Sequence, residues 1–136
     1  MSQLPQNRVY QTITWAQPAA AGAVDRVIFT APYECYVLHA NLVSSTLGSD
    51  GGAVNLQLTK DAVADVPGAG TDLLANNTNT GFDLKATVNT PQYAQWKTTA
   101  GIRNLTRGQR ISLDYAGTQT AVDGVFITLV IAYDLQ

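Results

Sequence analysis

The sequence predicts an all-β fold, an antiparallel β-sandwich, jelly-roll-like, with about eight strands. Three observations lead there. Apolar runs of strand length alternate with clusters of Gly, Pro, Asn and Asp along the chain. No stretch keeps an apolar repeat of about 3.6 residues over three turns, so no long amphipathic helix is expected. The run Val125-Phe126-Ile127-Thr128-Leu129-Val130-Ile131-Ala132-Tyr133 is apolar on both alternating faces and rich in β-branched residues, which favours a strand. Val125, Ile127, Leu129, Ile131 and Tyr133 share one face; Phe126, Thr128, Val130 and Ala132 share the other. Both faces are expected to be covered, with the strand central inside a sandwich or against a subunit neighbour. It is too short to cross a membrane as a helix.

The remaining elements follow in order. Residues 1–7 read as a loose arm. Residues 8–15 alternate, with Val9, Gln11, Ile13 and Trp15 against Tyr10, Thr12 and Thr14, as in a short edge strand. Residues 17–23 have no β-branched side chain and read as a linker or one helical turn. The chain therefore divides into an N-terminal arm and linker, 1–23, and a single β-sandwich domain, 24–136. Residues 26–30 form a strand, turned by Ala31-Pro32-Tyr33. Residues 35–44 form a long strand with Tyr36, Leu38, Ala40 and Leu42 on one face. Cys35, Val37 and Val43 take the other, which His39 and Asn41 interrupt. After a Gly-rich loop, residues 53–60 alternate cleanly: Val54, Leu56 and Leu58 inward, Asn55, Gln57 and Thr59 outward.

A longer connection covers residues 61–80. Val66-Pro67-Gly68 turns, Asp72-Leu73-Leu74-Ala75 forms a short helical turn, and residues 76–81 form a polar loop. Phe82 and Leu84 begin a short strand, and residues 93–99 form another around Trp96. A tight turn at residues 105–109 precedes a strand with Ile111, Leu113 and Tyr115 inward and Ser112 and Asp114 outward. Strand order is not legible from pattern alone. Immunoglobulin topology is disfavoured, because no cysteine pair frames a tryptophan.

Charged residues make up 13% of the 136-residue chain, roughly half the usual share. Thr, Asn, Gln and Ser supply the polarity instead. Such a surface suits an assembled protein, since ionised groups are costly to bury unpaired. Net charge is −2, and Lys and Arg never cluster, so no nucleic acid is expected as partner. Arg103, Arg107 and Arg110 come nearest, separated by Gly and Thr. Cys35 stands alone, so no internal disulfide is expected, and its strand-like surroundings suggest a buried, inert thiol. No charged segment followed by an apolar one opens the sequence, so synthesis in a reducing cytoplasm is expected.

The residues offer little chemistry. His39 and Cys35, four apart on one strand, are expected on the same face about 13 Å apart, too far to share an ion. Asp61 and Asp65 lack a calcium-loop pattern. Glu34 is the sole glutamate, and most aspartates sit in turn-forming sequence. The Gly clusters at residues 48–52 and 68–70 lack the Lys-Ser/Thr of a phosphate loop. No catalytic residue, cofactor or metal site is expected. The tyrosines and tryptophans could form a sugar platform, although interfaces use the same residues.

Three stretches resemble small virion proteins of tailed bacteriophages. They are Arg26-Val27-Ile28-Phe29-Thr30-Ala31-Pro32-Tyr33-Glu34-Cys35-Tyr36-Val37-Leu38; Asp72-Leu73-Leu74 leading to Gly81-Phe82-Asp83-Leu84-Lys85-Ala86-Thr87-Val88-Asn89-Thr90; and Leu105-Thr106-Arg107-Gly108-Gln109-Arg110-Ile111-Ser112-Leu113-Asp114-Tyr115 with the final strand. The resemblance covers roughly residues 26–134. It implies a jelly-roll-like fold and a non-enzymatic structural role as a head decoration, or cement, protein. Such a protein is expected to be a homotrimer on the phage head surface, assembled in the host bacterial cytoplasm. It would contact the major capsid protein, with no membrane and no cofactor. The N-terminal segment lies outside the resemblance. Its Leu4, Pro5, Val9, Tyr10 and Trp15 are the candidate capsid-binding residues, because aromatics on a mobile arm need a covering surface. The alternative is a carbohydrate- or receptor-binding β-sandwich module of a phage tail or fibre.

Overall fold

The structure, a computed structural model, describes residues 8–18, 24–49, 51–117 and 121–134. The strands are β1 (Arg8–Ala16), β2 (Val27–Thr30), β3 (Cys35–Val43), β4 (Asn55–Asp61), β5 (Thr71–Asp72), β6 (Phe82–Asp83), β7 (Gln92–Tyr93), β8 (Asn104–Leu105), β9 (Arg110–Ala116) and β10 (Phe126–Asp134). One short helical segment, α1 (Asn76–Asn79), precedes β6. All pairings are antiparallel. The first sheet runs β1-β10-β3-β7, with β8 also on β3; the second runs β2-β9-β4-β5, with β6 also on β4. The two sheets make a jelly-roll-like β-sandwich, as the sequence predicts.

Between the sheets lies the core. Val37 and Leu42 from β3, Ile127, Leu129 and Ile131 from β10, Leu56 and Leu58 from β4, and Ile111 and Leu113 from β9 have no exposed surface. Each such side chain contributes on the order of 1.5–3 kcal/mol by leaving water. As expected, β10 is central, between β1 and β3. On its second face Phe126 is exposed, Thr128 and Val130 are half-exposed and Ala132 is buried; no described element crosses that side, so the described chain covers one face of β10.

The alternation expected for residues 35–44 also breaks. Cys35 and Val37 point inward, and so do Ala40 and Leu42. Their parity differs because the register shifts: Val130 pairs with His39 and Ile131 with Val37, leaving Leu38 as the extra residue of a β-bulge. Cys35 and His39 consequently lie on opposite faces of the sheet, not on the same one.

A further correction concerns β4. The positions expected outward, Asn55, Gln57 and Thr59, are buried, not solvated, and so is Asp61 at the strand's end. The connection after β4 folds back over them, and their side chains satisfy its backbone. Gln57 Nε2 donates to the carbonyls of Leu74 at 3.1 Å and Asn79 at 3.0 Å, and Gln57 Oε1 accepts from Leu74 N–H at 2.8 Å. The Asp61 carboxylate accepts from Thr59 Oγ1, the N–H groups of Gly68 and Gly70, and Ser112 Oγ. Gly70 is required there, since a Cβ would overlap the Lys60 carbonyl oxygen.

The helical turn expected at residues 72–75 is instead β5 and a bridge from Leu74 to Trp96. The helical segment comes one step later, in the polar loop, and it is left-handed. Asn77 (φ 51°, ψ 51°), Thr78 (φ 57°, ψ 46°) and Asn79 (φ 73°) all have positive φ, which for L-residues costs roughly 1–2 kcal/mol each. Asn77 Nδ2, donating to the Gly81 carbonyl at 2.7 Å, and Gln57 hold the turn. Of the strand expected at residues 93–99, only its first residue belongs to a strand, β7; Trp96 sits in the bridge.

Candidate interaction surface

The register of the first sheet defines its outer face. From β1 come Tyr10, Thr12, Thr14 and Ala16, opposite Ala132, Val130, Thr128 and Phe126 of β10. Across β10 stand Tyr36, His39, Asn41 and Val43 of β3, and Tyr93 of β7 lies beyond Asn41. No Asp, Glu, Lys or Arg occupies these positions. Tyr93 is 70% exposed, Tyr10 46% and Phe126 42%. An aromatic, Thr-rich sheet face whose charges are the Arg8–Asp134 pair at one end and Arg103 over Tyr36 leaves its centre coverable at little desolvation cost.

One border of this face is β1. It pairs with β10 along all nine residues, and its other edge meets no strand among the described residues. Its sequence has no Lys or Pro after Arg8, the usual devices that block pairing at an edge. Gln17 fastens its end: the backbone N–H donates to the Val125 carbonyl at 2.8 Å, and Nε2 donates to that of Val122 at 3.1 Å. At its start, Arg8 Nε donates to Asp134 Oδ1 at 2.7 Å.

The sequence-predicted contact residues separate. Leu4 and Pro5 lie outside the described residues. Tyr10 falls on the outer face. Val9 faces the other way, into an open groove of about 550 Å³ with Pro32, Tyr33 and Tyr133. There the Tyr133 hydroxyl donates to Gln11 Oε1 at 2.7 Å. Trp15 is half-buried against the core, with the Arg26 guanidinium 5.7 Å from its ring centre. Tyr10 alone of the described candidates joins the outer face.

A second constellation was not predicted. Arg103 lies with its guanidinium carbon 4.6 Å from the ring centre of Tyr36 and 5.0 Å from that of Trp96. Its Nη1 donates to the Leu38 carbonyl at 3.2 Å, which belongs to the bulged residue of β3. The sequence did hold a signal. Residues 85–113 include Lys85, Lys97, Arg103, Arg107 and Arg110 and no acidic residue.

The titratable groups show no reactive pair. Burial pushes the Cys35 thiol up to about 11, so it stays protonated at neutral pH and is a poor nucleophile. His39 is exposed on the far side of the sheet. Burial raises the Asp114 carboxyl, helped by the negative charges of Asp25, Asp72 and Asp61. Among the described residues, no group of three or more His, Cys, Asp or Glu is placed to hold a metal ion. No described helix is long and apolar enough to cross a membrane.

No protein-family model and no curated protein matches the sequence. Solved structures do match. A chain in the structure of the cyanophage Pam1 capsid asymmetric unit aligns at TM-score 0.52 and 11% identity, over 100% of this chain and 90% of that one. At that identity the likeness is one of fold. A chain of infectious bursal disease virus, Gt strain, aligns at TM-score 0.34 and 11% identity, over 97% of this chain and 39% of that one; a score so low bears on nothing further.

Proposed function

We propose that this protein is a non-enzymatic component of a phage capsid, a decoration protein that sits as a homotrimer on the outer head surface and ties neighbouring capsomers together. The observation that carries the reading is the outer face of the first sheet, with Tyr10, Phe126 and Tyr93 exposed and the Arg8–Asp134 ion pair confined to one end. A monomer gains nothing by presenting these groups to water, whereas a neighbouring copy or a shell protein would bury them. The fold likeness to a chain of a phage capsid supports the setting. The mechanism is mechanical. Area buried across capsomer seams raises the cost of opening them, and many copies multiply a modest affinity.

The carbohydrate-binding alternative is less well served. Trp15 has Arg26 over its ring, and Trp96 and Tyr36 share Arg103. Sugar recognition needs such faces open for stacking.

Light scattering tests the assembly and should give about three times 14.5 kDa; a monomer at micromolar concentration overturns it. Binding to heads purified without this protein tests the location. The arm needs a narrower deletion than residues 1–15, because that would strip strand β1 from β10. Of the candidate contacts, deleting residues 1–7 removes Leu4 and Pro5 alone. A folded trimer that no longer adds to heads identifies the arm as anchor; unchanged saturation eliminates it. Retention on a sugar array without head binding would favour the tail or fibre module.

A further inference from the structure

We infer that Arg103, clamped between Tyr36 and Trp96, is the docking point for a carboxylate side chain presented by the capsid surface, an inference that rests on the decoration reading. Arginine carries five N–H donors, and the two ring contacts, with the guanidinium carbon over Tyr36 and over Trp96, use none of them as hydrogen bonds. Among the described residues, only one donor, Nη1, has a hydrogen-bond partner, the Leu38 carbonyl. The ion pairs among the described residues are Arg8 with Asp134 and Lys97 with Asp72, so no carboxylate of the described chain reaches Arg103. The stacking fixes the guanidinium in advance, which lowers the ordering cost of capture.

The setting favours an anion. An open groove of about 450 Å³ runs beside the clamp, lined by Tyr36, Trp96, Lys97, Thr99, Arg103 and Asn104. Lys60 joins from β4, its Nζ donating to the carbonyls of Asn104 at 3.0 Å and Gly101 at 3.3 Å. This positive region belongs to a chain of net charge −2. Lys60 and Lys97 already have partners, so the site offers one planar fork and not the row of free cations that a phosphate backbone needs. A carboxylate matches one fork. Tyr36 stands opposite Ala132 on the outer face of the first sheet, so the clamp continues the surface that the decoration reading already uses.

Affinity of the purified protein for heads lacking it, measured at low and at physiological salt, tests the inference. Arg103→Gln keeps a planar group between the rings and a donor for Leu38; Arg103→Lys keeps the charge and loses the fork. Both variants should retain the melting temperature of the parent within a few degrees. Both should bind heads roughly tenfold or more weakly, with a shallower salt dependence for Arg103→Gln. Wild-type affinity for either variant overturns the carboxylate site and leaves the decoration reading standing. Failure of the parent protein itself to bind heads overturns that reading, and the site with it. Should both variants unfold, the parent decides: affinity insensitive to salt overturns the site, and affinity that falls with salt supports it.

Discussion

Asp61 and Ser112 stand 51 residues apart in the chain, both without exposed surface, and the serine hydroxyl donates to the carboxylate at 2.5 Å. The bond joins β4 to β9 diagonally, beside the direct pair of Thr59 with Ser112. With Thr59, Gly68 and Gly70, it makes one buried carboxylate the tie between the second sheet and the connection folded over it.

Acid should loosen that tie. Burial alone would raise the Asp61 carboxyl, but the hydrogen bonds from Ser112, Thr59, Gly68 and Gly70 outweigh it and hold the group below its ordinary 3.8. A carboxyl depressed in the folded state contributes its full stability above the unfolded value and loses it as pH falls through the folded one. The urea midpoint should therefore drop below about pH 4. Asp61→Asn should cost about 3 kcal/mol at pH 7 and lose less than wild type on further acidification. Parallel pH profiles for the two proteins would refute the assignment.

Leu129 and Leu56 face each other's sheets with no exposed surface. Leu129→Ala and Leu56→Ala should each cost about 2–5 kcal/mol in a denaturant melt. A change of a few tenths would show that the sites collapse without a cavity.

Thr78 is β-branched and left-handed at φ 57°. Asparagine tolerates that conformation better. Thr78→Asn should raise stability by about 0.5–1 kcal/mol, read as a higher melting temperature; a lower one would mean that the threonine makes a compensating contact.

The Tyr115 hydroxyl is buried with no hydrogen-bond partner among the described residues. Burial also raises its pKa well beyond the usual range, so it stays neutral. Tyr115→Phe removes an unsatisfied group and keeps the ring, and should stabilise by about 1 kcal/mol. Destabilisation of similar size would reveal a bridging water.

What was legible in the sequence follows from periodicity. The long runs at Arg8–Ala16, Cys35–Val43, Arg110–Ala116 and Phe126–Asp134 announce themselves through β-branched and alternating residues. The side-chain faces were harder. In β4, Gln57 and Asp61 look like solvent-facing residues because a polar side chain gives no sign of whether water or backbone satisfies it. Leu38 looks like one more inward leucine because a bulge adds a residue without altering composition. Two-residue strands such as β5 and β8 have no period at all; their partners alone create them. Of the candidate contacts, Tyr10 was legible as part of an apolar face seeking cover. Arg103 was legible only as one basic residue of an acid-free stretch, since Tyr36, Trp96 and Leu38 reach it only through tertiary folding.

The Arg8–Asp134 pairing joins residues separated by 126 positions. Few contacts in a chain of this size close a larger loop, and folding rates fall as contacts become less local. Until β10 settles between them, β1 and β3 have no common neighbour, so the first sheet cannot form piecemeal. Refolding on the millisecond-to-second scale is the consequence, with β1 among the late arrivals. During that wait its unblocked edge is open to any passing strand, which makes dilution during refolding, more than final stability, the condition that decides recovery of active material.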